Sequence, residues 1–318
     1  MINKKTIIGM MAACAACLFV SCSDDDGNGG SAPKAPVTTF SGKLLAQAGN
    51  FRYMYDDYGR CYQIDGGNGR YEIDYDKGIM IIESEDEEAK ISFNSKGYIT
   101  SLISSWNYTD ESGYTDRGNA KVVFSYDGNG HVTSEENISN GTEIEHGEKT
   151  SYSGSYNAVY TWKNNNLTNS IVKETYNEDG DIDTYNTTYT VEYGIDKNIT
   201  EQMTFAISAA LNNDTFEPLA IIGLLGKGTD YLPSSVTYSE TYTSTESGKS
   251  QTRGNTDYAS YTLNSDGTIR NEKFYGTKSY TYVTADAVSD KAKAPAIKAP
   301  WQNNGRKLRM KDLFVHRK

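Results

Sequence analysis

"KVVFSYDGNGHVTSEE", residues 121–136, decides the fold. Val122, Phe124 and Tyr126 alternate with Lys121, Val123 and Ser125, and polar and apolar positions alternate again after His131, which is the pattern of two strands. The residues between them carry turn chemistry. The Asp127 carboxylate can accept hydrogen bonds from the next backbone amides of a type I turn, and Gly130, three residues on, takes a positive φ at no steric cost. That combination closes a hairpin through a bulge.

The same spacing recurs: an apolar or aromatic residue, Asp or Asn, two free positions, Gly, one free position, then an apolar residue. Five copies keep it, starting at Tyr55 (YDDYGRC), Phe93 (FNSKGYI), Tyr126 (YDGNGHV), Tyr176 (YNEDGDI) and Leu263 (LNSDGTI). Looser relatives are YDKGI from Tyr75 and WKNNNL from Trp162. With 25 Tyr, 29 Gly and only 6 Pro, the composition favours strands and tight turns over helices. The expected fold is mainly β, an antiparallel meander of repeated hairpins forming a large curved or elongated sheet. One stretch breaks the pattern. From Thr200 to Gly228 the chain is rich in Ala, Leu, Ile and Met, which predicts two short helices at about 200–226, with Thr200 as N-cap, Pro218 in a first turn and Gly226 as a stop. They are expected to cover one face or end of the sheet.

The N-terminus reads as an address. Lys4 and Lys5 precede an apolar run from Ile7 to Val20, and polar sequence begins after Cys22, the layout of a secretory signal. The run is shorter than the roughly 20 residues a membrane span needs, so cleavage is expected. Ser21 and Cys22 at its end resemble a lipobox, which implies a lipid on the Cys22 sulfur after removal of residues 1–21. Ser23, Asp24, Asp25 and Asp26 follow directly and resemble the acidic export signal of Bacteroidetes-type surface lipoproteins. Residues 22–39 then form a Gly, Ser and Pro-rich tether, 40–284 the β-rich domain, and 285–318 an Ala/Pro/Lys-rich linker with a basic tail. The wider chain, through the YDGNG hairpin at 126–130, YTWKNNNL and GLLGKGTDYLPSSVTY, resembles an uncharacterised family of such lipoproteins with repeated YxYDGNG hairpins. The resemblance implies an outer-membrane location, anchored by lipid at the cell surface, and brings no activity with it.

Charge excludes one class of partner. Residues 23–290 hold 20 Lys and Arg against 41 Asp and Glu, so nucleic acid is not expected to bind the body. Residues 291–318 hold nine Lys and Arg against one Asp, which reads first as a solvated basic tail and otherwise as a segment that binds anionic lipid headgroups or the acidic body. Catalytic patterns are missing: His131 adjoins a turn glycine, His146 lies in a polar stretch and His316 in the tail, which makes no triad or metal spacing. No cofactor motif is present. Asn177, Asp179, Asp181 and Asp183 alternate as ligands of a calcium loop do, but they fall on a hairpin turn and lack the distal Glu of an EF-hand. Beyond Cys22 the mature chain has only Cys61, expected as a buried small hydrophobe. Two function classes lead. One is a non-catalytic binding or adhesion module for a glycan, a host protein or a neighbouring envelope protein, to be recognised by an exposed row of aromatic side chains. The other is an envelope carrier or assembly protein with an apolar cavity. A carboxylate-based glycan hydrolase stands third, since sequence cannot supply the separation of its acids.

Overall fold

The computed structural model describes residues 38–284, apart from 67–68, 83–86, 111 and 213–215. Cys22, the acidic stretch Ser23–Asp26, most of the tether and the basic tail lie outside the described residues, as does most of the "SEDEE" tip. The meander opens with short strands: β1 (Lys43–Ala48), β2 (Phe51–Tyr55), β3 (Cys61–Gly66), β4 (Gly69–Asp74), β5 (Ile79–Ile82) and β6 (Glu87–Phe93). Longer ones follow: β7 (Ile99–Thr109), β8 (Thr115–Tyr126), β9 (Val132–Glu145), β10 (Glu148–Lys163), β11 (Asn166–Glu178) and β12 (Asp181–Lys197). After two helices, α1 (Phe205–Ala210) and α2 (Glu217–Ile221), the chain resumes as β13 (Tyr231–Ser244), β14 (Ser250–Tyr258), β15 (Ser260–Leu263), β16 (Ile269–Lys273) and β17 (Thr277–Thr284).

Strands pair antiparallel with their chain neighbours, and β17 returns to pair with β1 in the register Lys43↔Thr284 to Ala48↔Tyr280. The 17-stranded sheet is therefore nearly closed into a barrel. The seam lies at Ala259. There β14 leaves its pairing with β13, β15 takes up pairing with β16, and the Ala259 amide still donates to the Ser234 carbonyl at 2.9 Å.

The hairpin repeat folds as its spacing predicts. Asp56 Oδ1 accepts from the amides of Tyr58 and Arg60 at 3.0 and 2.8 Å, Asn94 Oδ1 from Lys96 and Tyr98, both at 3.0 Å, and Asp127 Oδ1 from Gly130 and His131, both at 2.8 Å. Gly59, Gly97, Gly130 and Gly267 sit at φ of 77°, 75°, 99° and 80°. The ladder slips by one residue beside each of these turns, between Met54 and Tyr55, Ser92 and Phe93, Ser125 and Tyr126, and Thr262 and Leu263. Two departures are instructive. The Asn177 copy makes a tighter turn, with Asp179 and Gly180 both left-handed (φ 49° and 103°) and no slip. A further turn of the same kind forms at Asp110, whose Oδ1 accepts from Ser112 and Tyr114 while Gly113 donates to the Asp110 carbonyl. Thr109 stands before it instead of an apolar residue, which hides it from the sequence pattern.

A bulge disrupts the ladder locally, so its backbone groups need partners from elsewhere. Here the next aromatic in the meander supplies them. Tyr75 donates its hydroxyl to the Cys61 carbonyl at 2.8 Å, Tyr126 to Ile99 at 2.6 Å and Tyr193 to Leu167 at 2.7 Å, while Trp162 Nε1 donates to Val132 at 2.7 Å. Each accepting residue closes the preceding turn at a slip, in the WKNNNL copy between Thr161 and Trp162. The tyrosine content is thus a structural device. Tyr126→Phe removes the donor and leaves the Ile99 carbonyl dry, so urea unfolding should show a loss of about 1–2 kcal/mol. An unchanged midpoint would remove the device.

The helical insert fills the inside of the curved sheet. Phe205 stacks on Phe51 of β2 and meets Tyr280 of β17 edge-on, and Phe216 meets Phe124 of β8. The Leu211 carbonyl accepts from Tyr156 and Tyr160 of β10, and the Ile99 amide of β7 donates to the Leu224 carbonyl at 2.9 Å. Strands from around the whole meander therefore meet this one segment, and its Phe205, Ala206, Ile207, Leu211, Phe216, Leu219 and Ile221 are buried. Pro218 sits in the first turn of α2 as expected, whereas α1 starts later than expected, capped by Thr204 instead of Thr200. Its first two amides are satisfied across the barrel: Phe205 and Ala206 donate to the Glu272 carboxylate of β16 at 3.0 and 2.9 Å. Burial outweighs those bonds and raises the Glu272 pKa.

Candidate functional site

Four residues in register across β7–β10 build the floor of the site. Trp106 faces Gly118, Gly118 faces Gly141, and Gly141 faces Tyr152. Trp106 and Tyr152 point to the core and are buried, and their rings occupy the space a Cβ at either glycine would need. Both are fixed from within: Trp106 Nε1 and the Tyr152 hydroxyl donate to Asp116 Oδ1 at 3.0 and 2.8 Å, and Trp106 Nε1 also reaches the Tyr152 oxygen at 3.1 Å. Burial and the neighbouring Asp116 push the Tyr152 pKa up, so the hydroxyl remains a donor.

Side chains flanking this row alternate to the opposite, solvent-facing side. On one flank lie Ser105, Asn119, Asn140, Ser153 and Asn177, paired in that order across five strands. On the other lie Asn107, Arg117, Thr142 and Ser151, with Asp179 completing the line, since Ser151 donates to Asp179 Oδ1 at 2.7 Å. Together they line an open groove of about 970 Å³ whose floor is the backbone of the glycine row. Asn119 and Asn140 face each other as an amide pair with two reciprocal hydrogen bonds of 3.1 Å. The walls offer donors and acceptors in comparable number, one guanidinium and one carboxylate.

The outward face around the groove is polar as well. Lys121, Ser125, Glu136, Asn157, Thr161, Lys173 and Thr188 are exposed, with Ile103 and Ile138 on either side of Lys121 and the cross-strand pair Val159 and Ile171 among them. A barrel that crosses a bilayer presents the reverse, an apolar outer band flanked by aromatic girdles. Around the groove the outer face is mostly polar, while the inner face packs an apolar core. No helix among the described residues is long and apolar enough to cross a membrane.

The calcium-loop residues do not converge. Asn177 Oδ1 accepts from the Gly180 amide at 3.0 Å, Asp179 from Ser151, and Asp183 from the Tyr242 hydroxyl at 3.0 Å, while Asp181 is paired across the turn with Glu178. Among the described residues no group of three or more His, Cys, Asp or Glu is placed to hold a metal ion. His131 is buried, stacked on Trp162 with centroids 4.3 Å apart and bonded to Asp127 at 3.0 Å. Cys61 is buried as expected, and burial pushes its thiol pKa up to about 12. Among the described residues the exposed aromatic row expected of a binding face is not found: Tyr58, Tyr62, Tyr108, Tyr258 and Tyr275 are exposed, and most other described tyrosines turn inward. Apolar side chains of the helical insert pack into the core on the inside of the sheet, the place where a carrier would hold its cargo. The groove escaped sequence reading because its walls are ordinary polar alternation. Only the pairing of Gly118 with Gly141, a matter of register, marks it.

No protein-family model and no curated protein matches the chain. Among solved structures, a porin-like protein from Bacteroides uniformis ATCC 8492 aligns over 79% of this chain and 100% of its own, at 18% identity and a TM-score of 0.44. A porin-like protein from Bacteroides vulgatus ATCC 8482 aligns over 76% and 99%, at 12% identity and the same TM-score. Nothing about activity is transferred from either.

Proposed function

We propose that this chain is an outer-membrane lipoprotein, anchored through Cys22, displayed at the cell surface, and acting as a non-catalytic binding module. The observation that supports the reading is the open groove, walled by Asn, Ser and Thr side chains, on the outer side of a sheet whose inside is packed by the helical insert. A carrier would need that interior for cargo. A two-carboxylate hydrolase needs a pair of acids on opposite sides of its substrate, and the groove walls hold one, Asp179, already accepting from a backbone amide. Anchoring by lipid also suits a sheet whose outer face is mostly polar around the groove. Several acyl chains on one residue contribute about 0.8 kcal/mol per buried methylene, which makes the attachment stable.

Two variants test the location. Cys22→Ala should yield an uncleaved precursor that takes up no labelled fatty acid. Replacing Asp24, Asp25 and Asp26 together with Ala should leave acylation intact, since its determinants lie at and before the cysteine, yet protect the protein from protease added to intact cells. If the triple variant is digested as fast as the wild type, the aspartates are linker and the surface assignment fails.

A further inference from the structure

We infer that the groove across β7–β11 binds a neutral polysaccharide whose chain runs perpendicular to the strands, a proposal that rests on the binding-module reading and names its ligand class. Three observations lead to it. The first is shape. Two parallel lines of side chains cross five strands, and four inter-strand spacings give a trough of about 19 Å, open at the surface, which suits an extended polymer better than a compact metabolite.

The second is chemistry. Asn107, Asn119, Asn140 and Asn177 carry amides that donate and accept; beyond their mutual pair Asn119 and Asn140 each keep a second N–H and a second oxygen lone pair, Asn177 keeps its two N–H donors beside an oxygen that accepts from Gly180, and the interleaved hydroxyls of Ser and Thr do both. Such walls match a ligand whose own groups are donors and acceptors at once, as sugar hydroxyls are. Arg117 and Asp179 bring opposite charges, so the groove holds no excess of either sign. An acidic polysaccharide would meet, besides, a body with 41 Asp and Glu against 20 Lys and Arg between residues 23 and 290.

The third is backbone pairing. Extended peptides are commonly captured by adding a strand to an open sheet edge. β8, β9 and β10 are hydrogen-bonded to neighbours on both sides along the groove and have no edge to offer. Side chains and the bare glycine floor are what remain to make contact. The buried Trp106, Asp116 and Tyr152 cluster beneath keeps that floor rigid, so the walls are pre-organised.

The test is native affinity electrophoresis of the full lipidated chain in detergent, through gels cast with amylopectin, yeast mannan, barley β-glucan or xyloglucan, and with polygalacturonate as a polyanion. At least one neutral polymer should retard the wild type. Asn119→Ala with Asn140→Ala should weaken that retardation at least tenfold without moving the thermal midpoint, and Ser153→Trp, which fills the trough from an exposed position, should abolish it. Lys173→Ala, on the same outer face away from the groove, should bind as the wild type does. Retardation by a neutral polymer that survives both groove variants overturns the inference. So does a groove-dependent retardation by polygalacturonate alone, which would leave the binding-module reading standing. Failure of every polymer to retard the protein overturns the inference as well, whereas the surface-display reading falls only on the acylation and protease tests of Cys22 and the aspartates.

Discussion

Gly141→Val should destabilise the domain by about 3–5 kcal/mol, at the upper end of what overpacking and a broken buried network cost together. A Cβ at residue 141 would overlap the Tyr152 phenol and come within 2.6 Å of the Arg117 carbonyl oxygen. Neither neighbour can give way cheaply. The Tyr152 hydroxyl is tied to Asp116 and to Trp106, and Trp106 in turn lies over Gly118, where a Cβ would stand 2.6 Å from the Asn140 carbonyl oxygen. Pushing Tyr152 aside takes a donor from Asp116, which is 1% exposed, and a buried carboxylate stripped of a donor is among the costliest defects a core can carry. A second substitution separates overlap from backbone effects. With Tyr152→Ala already present the overlap with the phenol is gone and only the contact with the Arg117 carbonyl remains, so adding Gly141→Val should cost clearly less than it does in the wild type, and the two changes should be non-additive in urea unfolding. A Gly141→Val midpoint within about 0.5 kcal/mol of wild type would mean that the glycine row is not what seats the two rings.

How much of this was legible beforehand depends on the range of the interaction. Local chemistry was readable. Asp56, Asn94 and Asp127 hold the amides that turn chemistry assigns to them, and Gly59, Gly97 and Gly130 take the left-handed conformation three residues later. The turn at Asp110 was missed because Thr109 broke a pattern in which the aromatic serves the neighbouring hairpin and not its own turn. Pairing between distant segments was not readable. Nothing in "KLLAQA" announces that it will meet "TKSYTYVT" more than two hundred residues later, and without that meeting the curved sheet has no reason to close. The helical insert shows the same limit. Its composition reveals that it is buried, but only closure decides that the face it covers is the inside. Closure also reassigns the tyrosines: side chains with an apolar body and a polar tip suit a ligand surface, and they equally suit a core that must satisfy bulged carbonyls. The choice between the two is made by topology.

The acid–base behaviour of the core gives the last expected result: replacing Glu135 with Gln should leave stability nearly unchanged at pH 5 and raise it by roughly 4 kcal/mol at pH 9. Glu135 is buried on β9, and desolvation pushes its pKa up to about 8 against the opposing hydrogen bond from Tyr160. The Tyr160 oxygen lies 3.3 Å from Glu135 Oε2 and 3.0 Å from the Leu211 carbonyl at the end of α1. One hydroxyl proton cannot serve both acceptors. A protonated Glu135 resolves the conflict by donating to Tyr160, which then donates to Leu211, so the neutral acid joins the barrel wall to the insert inside it. The sign follows from proton counting. Between the ordinary value of 4.5 and about 8 the folded chain holds a proton that the unfolded chain has released, so stability is fully present below the lower value and is lost as pH rises through the upper one. The Gln amide keeps the shape and the donor and cannot ionise. Glu272, also raised by burial, remains in the variant and should leave it a residual slope of the same sign. Urea midpoints measured from pH 5 to 9 decide the matter. If the wild-type and Glu135→Gln curves run parallel across that range, Glu135 does not titrate within it and the donor chain through Tyr160 to the insert is not maintained by its proton.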